Sequence, residues 1–216
     1  MMLLAQLLLL PYLARAGSSL SVFGHKNPDT DAICAALTYA WELQERGFQA
    51  AAYRLGELNP ETAYVLKTLG VEVPPLLEKL EAKAPVAIVD TNNPAELPAG
   101  IEKASIHSIV DHHKLSGLSN AEPLEIDMRP LCSAGSILYA RAKAAGRTPP
   151  KSVAGLMLSS ILSDSLEFRS PTTTDIDRVY AAELAGLLGE AGARAELHEL
   201  ARRGPIALAR LQRGVG

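Results

Sequence analysis

Leu20-Ser21-Val22-Phe23-Gly24-His25-Lys26-Asn27-Pro28-Asp29-Thr30-Asp31 is the stretch that decides the fold. Its first five residues read as a short buried strand. Residues 30–46 read as a helix, with Ile33, Ala36, Leu37, Ala40 and Trp41 at helical spacing and Gly47 as the stop. The turn between them holds an imidazole and two carboxylates. Pro28 stiffens it, and Asp29 and Asp31 fall near the helix N-terminus, where negative charge is favoured. A carboxylate at a helix start is commonly no more than a cap, so the turn alone decides little about chemistry.

The strand-then-helix rhythm continues along the chain. Residues 48–55 read as a second strand, and Asn59-Pro60 is a cap followed by proline at the first helical position, with that helix stopping at Gly70. Pro85-Val86-Ala87-Ile88-Val89 and residues 106–110 are short, continuously apolar runs, as parallel strands buried on both faces require. They end on Asp90 and on Asp111-His112-His113. Residues 133–145 and 152–163 read as helices, the second closed by Asp164. Thr174-Asp175-Ile176-Asp177 resembles a capping box opening a helix that runs to residue 188. This order predicts one α/β domain, a mostly parallel sheet with helices on both faces. Residues 19–190 form that domain, preceded by an apolar extension at 1–18 and followed by a helical tail at 191–216.

A net charge of −3 argues against a nucleic-acid-binding surface, which would be basic. Cys34 and Cys132 fit no metal or redox spacing and read as buried small residues in a reducing compartment. Ala14-Arg15-Ala16 before Gly17 resembles a signal-peptidase site, but no Lys or Arg precedes the apolar run. The run also falls short of the roughly 20 apolar residues a membrane span takes. A cytoplasmic protein without a stable membrane span is expected.

Ligands of open α/β sheets bind beyond the carboxyl ends of the strands. His25, Asp90, Asp111, His112 and His113 all lie at such ends, so one crevice can collect them. Adjacent imidazoles beside a carboxylate are costly to hold together unless a metal or an anion uses them. Oxygen ligands suit manganese or magnesium, and imidazoles tilt the choice toward manganese, cobalt or zinc. Lys114 and Arg169 are cations that could neutralise phosphate, and Thr172, Thr173 and Thr174 precede a helix N-terminus that could receive one. Tyr39, Trp41 and Tyr139 are core candidates first, while His107 and His198 read as structural or exposed.

Four stretches occur in order over residues 19–188. They are His25-Lys26-Asn27-Pro28-Asp29-Thr30-Asp31-Ala32-Ile33-Cys34 after Phe23-Gly24, then Val89-Asp90, then Asp111-His112-His113, and last Ser163-Asp164-Ser165-Leu166-Glu167-Phe168-Arg169-Ser170-Pro171-Thr172-Thr173-Thr174. Together they resemble the motifs of the DHH phosphoesterase superfamily. The first and last resemble those of one branch, the family II (manganese-dependent) inorganic pyrophosphatases. The resemblance implies a Rossmann-like catalytic domain with two Mn2+ per chain, for which Co2+ or Mg2+ can substitute. It implies His25 and Asp29 as ligands of one metal, Asp31, His112 and Asp164 as ligands of the other, and Asp90 as the bridge. His113 is implied as a contact to substrate phosphate that serves catalysis with Asp90, and Asp111 as the residue that orients a ligand imidazole. Two cations about 3.5–4 Å apart can lower the pKa of a shared water toward neutrality. The implied reaction is hydrolysis of pyrophosphate to two phosphates by the hydroxide so formed.

Family II enzymes look two-lobed, with a basic Ser-Arg-Lys-Lys signature in a carboxyl-terminal domain that grips pyrophosphate. The present 216 residues contain no such signature, and Arg202, Arg203, Arg210 and Arg213 do not reproduce it. An intact metal site with impaired turnover is therefore expected. The alternatives are a DHH phosphodiesterase on short oligonucleotides or cyclic dinucleotides, an exopolyphosphatase-like relative, and a metal-loaded domain that binds a partner or forms a homodimer without turnover. Thr30 and Ala32-Ile33-Cys34 stand where the phosphodiesterases typically carry glycines, which favours pyrophosphate.

Overall fold

In the computed structural model, which describes residues 19–189, the opening stretch folds as its pattern requires: β1 (Leu20–Phe23) runs into α1 (Thr30–Glu45). The extension at 1–18, the tail at 191–216 and His198 within it lie outside the described residues. Next come β2 (Ala50–Ala52), α2 (Pro60–Leu69), β3 (Pro85–Val89), β4 (Ser105–Asp111), β5 (Glu125–Met128), α3 (Ala134–Ala144), α4 (Lys151–Asp164) and α5 (Asp175–Leu188). The strands form one all-parallel sheet in the order β2-β1-β3-β4-β5. β2 is shorter than the strand pattern at residues 48–55. Its chain leaves β1 after Tyr53, whose amide still donates to Val22 O at 2.8 Å, and the Arg54 amide donates to Pro75 O at 3.0 Å instead. Among the described residues no helix is long and apolar enough to cross a membrane.

The two faces of the sheet are covered differently. Leu20, Val22, Ala87, Val89 and Val110 pack with buried side chains of α1, α3 and α4. On the other face, Phe23, Val86, Ile88, Ile106 and Ile109 pack with Leu97 and Ile101, which belong to or flank two single-turn 3-10 helices (Pro94–Glu96 and Ile101–Lys103). Ile106 and Ile109 share a face although three residues apart. The register explains it: Val86 faces Ile106 but Ala87 faces Ser108, so His107 is the extra residue of a β-bulge. Cys34 and Cys132 are buried, Tyr39 is fully buried with its hydroxyl donating to Ser108 Oγ at 2.8 Å, and Trp41 packs on the core at its edge.

The edge strand β5 carries no apolar signal, because two of its four residues are acidic. It is held instead by charge. Arg141 of α3 donates to Glu42 of α1 at 2.7 Å, to Glu125 at 2.9 Å and to Asp127 at 3.1 Å. Glu42 is only 4% exposed. Removing one partner of a buried pair leaves an uncompensated charge. Arg141→Ala should therefore lose about 3–5 kcal/mol of stability, measured by urea denaturation, whereas a change below about 1 kcal/mol would mean that the pairs are solvated like surface ones.

The order of the strands places the site. From β1 the chain crosses to β2 on one side, and from β3 it crosses to β4 on the other. Neighbouring strands whose connections diverge leave a crevice beyond their carboxyl ends. His25 follows β1 and Asp90 follows β3, so both stand at that crevice.

Candidate metal centre

The turn after β1 is built for close approach. A β-carbon on Gly24 would stand 2.7 Å from that of Ala32, so only glycine lets the strand end pass against α1. Asp29 caps α1, its Oδ1 accepting from the Ala32 amide at 2.9 Å, while its Oδ2 lies 3.7 Å from His25 Nε2. Asp31, fully buried in the first turn of α1, accepts from the amides of Ala134 at 2.7 Å and Gly135 at 3.1 Å. It thereby sits between the N-termini of α1 and α3, whose partial positive charges favour a carboxylate. Gly135 permits that arrangement: a β-carbon there would collide with Ser160 Cβ.

Asp90 is the hub. It leaves β3 in the left-handed conformation (φ 58°), which aspartate tolerates better than most side chains. Its Oδ1 lies 3.1 Å from His112 Nε2 and 3.7 Å from His113 Nδ1, and its Oδ2 lies 3.4 Å from His25 Nε2. His112 Nε2 is also 3.7 Å from Asp31 Oδ2 and 3.4 Å from Asp164 Oδ2. Asp164 occupies the last turn of α4, the end at which the helix dipole disfavours a carboxylate. Directly after it, Leu166, Glu167 and Phe168 all have positive φ. Such conformations cost roughly 1–2 kcal/mol per residue and persist where the surroundings impose them. Here the Ser165 hydroxyl accepts from the Phe168 amide at 3.0 Å and fixes the turn.

Side-chain donors gather in groups whose atoms lie within 4.8 Å of one another: His25, Asp29 and Asp90; Asp31, Asp90, His112 and Asp164; and Asp90, His112 and His113. Each could hold a metal ion, and Asp90 belongs to all of them. The electrostatics are those of crowded carboxylates. Burial and the charge of Asp90 push the Asp31 carboxyl up to about 7, and burial with Asp31, Asp29 and Asp90 raises Asp164 well above the carboxylate range. Burial would also raise Asp90, but His112 and His25 beside it hold it far below. Burial opposes protonation of His25 and His112, yet the neighbouring carboxylates raise them to about 10 and about 9. The two imidazolium charges act as counterions of the carboxylates. A divalent cation would take over that part and leave the rings as neutral ligands.

The donor set suits such a cation. Asp90 Oδ2 is buried and makes no hydrogen bond, with His25 Nε2 facing it at 3.4 Å, so a cation could occupy the place beside it. Mixed carboxylate and imidazole donors fit a borderline divalent metal.

The remaining candidate residues lie around this centre. His113 is 53% exposed, and its Nδ1 lies 2.9 Å from Asp111 Oδ1. The family resemblance makes Asp111 the residue that orients a ligand imidazole. Its Oδ1 instead meets the His113 ring and accepts from the backbone amides of His112 and His113 at 2.8 and 3.1 Å. Those bonds and Asn92 hold Asp111 below the usual carboxylate range although burial opposes it. Lys114 and Arg169 are exposed and form no ion pair with the cluster; Arg169 Nε donates to Leu166 O at 2.8 Å. Thr174 caps α5 in a reciprocal box with Asp177, in agreement with its sequence pattern. His107 packs its ring on Phe48, 5.0 Å between centroids. Asn92 carries no signal in the sequence beyond its place two residues after Asp90.

Residues 19–161 match the family model described as the DHH family, N-terminal domain. A protein of Deinococcus radiodurans named as a probable manganese-dependent inorganic pyrophosphatase is 49% identical over 170 residues, 79% of this chain and 54% of the relative. One of the same name from Shouchella clausii is 41% identical over 78% of this chain and 54% of the relative. The chain thus spans about half the length of the curated relatives it matches. A Methanococcus jannaschii crystal structure described as a putative family II inorganic pyrophosphatase superposes with a TM-score of 0.76 at 33% identity, covering 84% of this chain and 60% of that one. An exopolyphosphatase-related protein from Bacteroides fragilis, 14% identical with a TM-score of 0.67 over 84% of this chain and 56% of that one, shares the fold. With the ordered motifs, the parallel sheet and the Asp and His cluster at its carboxyl edge, the chain belongs to the DHH family and carries that family's N-terminal domain.

Proposed function

We propose that this chain hydrolyses inorganic pyrophosphate at a binuclear manganese centre. His25 and Asp29 would hold one ion and Asp31, His112 and Asp164 the other, with Asp90 a donor to both. The observation that carries the reading is the carboxylate of Asp90, which takes part in every donor group and has one buried oxygen without a hydrogen-bond partner. The relatives named as probable manganese-dependent inorganic pyrophosphatases support both metal and substrate. Divalent cations held by these residues would supply charge neutralisation at phosphate and activation of water.

The remaining work falls to the protein's own groups. Asp29 and Asp31 are fixed by backbone amides before any ligand arrives, so the donor set is preorganised. His113, exposed at the rim and steadied through Nδ1 by Asp111, presents its ring to substrate phosphate. Little covalent chemistry is needed, because phosphoryl transfer relies mainly on positioning and charge neutralisation. Lys114 and Arg169 are weaker contacts to the same phosphates. The 216-residue chain by itself should be slow, since the cluster can neutralise only one end of the substrate.

Phosphate release from pyrophosphate, with a linear dinucleotide in parallel, tests the reading. Turnover of pyrophosphate is expected with manganese or cobalt and less with magnesium alone. Cleavage of the dinucleotide in preference to pyrophosphate would transfer the site to phosphodiester chemistry. Metal binding with neither reaction would leave a binding domain.

A further inference from the structure

Asn92 is an amide with every polar atom engaged. Its side chain is buried, 3% exposed, between the ends of β3 and β4. Nδ2 donates to Asp111 Oδ2 at 2.6 Å and to Lys114 O at 2.9 Å, and Oδ1 accepts from the Ser116 amide at 2.5 Å. The surroundings fix which way the amide points. A flipped Asn92 would turn its oxygen toward a carboxylate and a carbonyl, and its NH2 toward an N–H. The same segment is anchored on its other side. Thr91 Oγ1 donates to Glu96 Oε2 at 2.7 Å, and the Glu96 carbonyl accepts from the Lys26 amide at 2.9 Å.

We propose that Asn92 is a positioning residue for substrate: it clamps Asp111 and the loop through Ser116, and through Asp111 Oδ1 it aims the His113 ring. The role rests on the reading of His113 as a phosphate contact. It follows from a division of labour within Asp111. One oxygen of that carboxylate serves the His113 ring and the amides of His112 and His113, and the other is held by Asn92. Without Asn92 the carboxylate can rotate about its own axis, and the exposed ring loses the fixed end of its support. None of the six proposed metal ligands is altered by this change, so the metals should stay.

Asn92→Asp is the sharper variant, since it keeps the shape and the Ser116 acceptor but sets a carboxylate against Asp111. Asn92→Ala removes every bond. In both, kcat/KM for pyrophosphate should fall about 10–100-fold, chiefly through KM, with manganese content unchanged. In a His113→Ala background the further loss should be under about threefold, because the residues act as one unit. Additive losses, or activity kept by Asn92→Asp, would overturn the proposal and reduce Asn92 to a space-filling side chain. Isothermal titration of inorganic phosphate into the manganese-loaded proteins should show the same non-additive pattern. Amide exchange in the metal-free chain judges the clamp independently of any reaction. Slow exchange at Ser116 and His113 is expected, at least about tenfold faster in Asn92→Ala; fast exchange in the unaltered chain would overturn the clamp. If the unaltered chain does not turn over pyrophosphate while exchange and phosphate titration follow the expected pattern, the pyrophosphatase reading fails and the clamp survives.

Discussion

Asp90→Asn and Asp90→Ala are each expected to abolish manganese-dependent turnover and to weaken binding of both metals. Asp90 belongs to every donor group, whereas Asp29 belongs to one. Changing residues that merely support metal ligands costs about 10–100-fold in affinity or activity, so a carboxylate shared by both ions should exceed the upper figure. Asparagine is the cleaner replacement, because it also tolerates the left-handed backbone at this position and removes only the charge. Asp29→Ala should cost less, since it removes one donor and one helix cap worth about 1 kcal/mol. Asp31→Ala is a poorer comparison. It would strand the amides of Ala134 and Gly135 in the core and lower stability as well as metal binding. Equal losses for Asp90→Asn and Asp29→Ala would remove the bridge and return Asp90 to a strand-end residue.

The second large effect concerns the other half of the substrate. Pyrophosphate is a compact polyanion, and metals held at the proposed centre would face only one end of it. Among the described residues, basic side chains around the cluster are few: Lys114 and Arg169 are exposed, and the Lys26 ammonium is tied to Ala95 O at 3.3 Å. Fusing the carboxyl-terminal domain of a relative after residue 216 should raise kcat/KM by about a hundredfold or more, the scale of one or more preorganised charge contacts in a water-excluded site. Steady-state kinetics on both proteins would measure it. If the 216-residue chain alone matched the fusion, its own cations or a second copy would have to supply the grip.

What is legible in the sequence and what is not divides along physical lines. The strands ending at Asp90 and Asp111 announce themselves as apolar runs because both of their faces are buried. β5 gives no such signal, since its Glu125 and Asp127 are matched to Arg141, a partner 16 and 14 residues away in sequence. The bulge at His107 is invisible for a related reason: register is a property of two strands, and a single run of residues does not contain it. The candidate ligands are readable because so many carboxylates and imidazoles gathered at strand ends would be costly to bury together without a cation to share them. Their supporters are not. Asn92, and the amides of Ala134 and Gly135 that hold Asp31, act across separations of 19 to 104 residues, and an asparagine in a turn looks like any other turn residue.

Elemental analysis after equilibrium dialysis against manganese, on the folded chain and on Asp90→Asn in parallel, tests most directly whether a pair of metals is held around Asp90. Two manganese ions per chain in the unaltered protein and fewer than one in the variant are expected. One ion or none in the unaltered chain, or two retained by Asp90→Asn, would contradict such a pair.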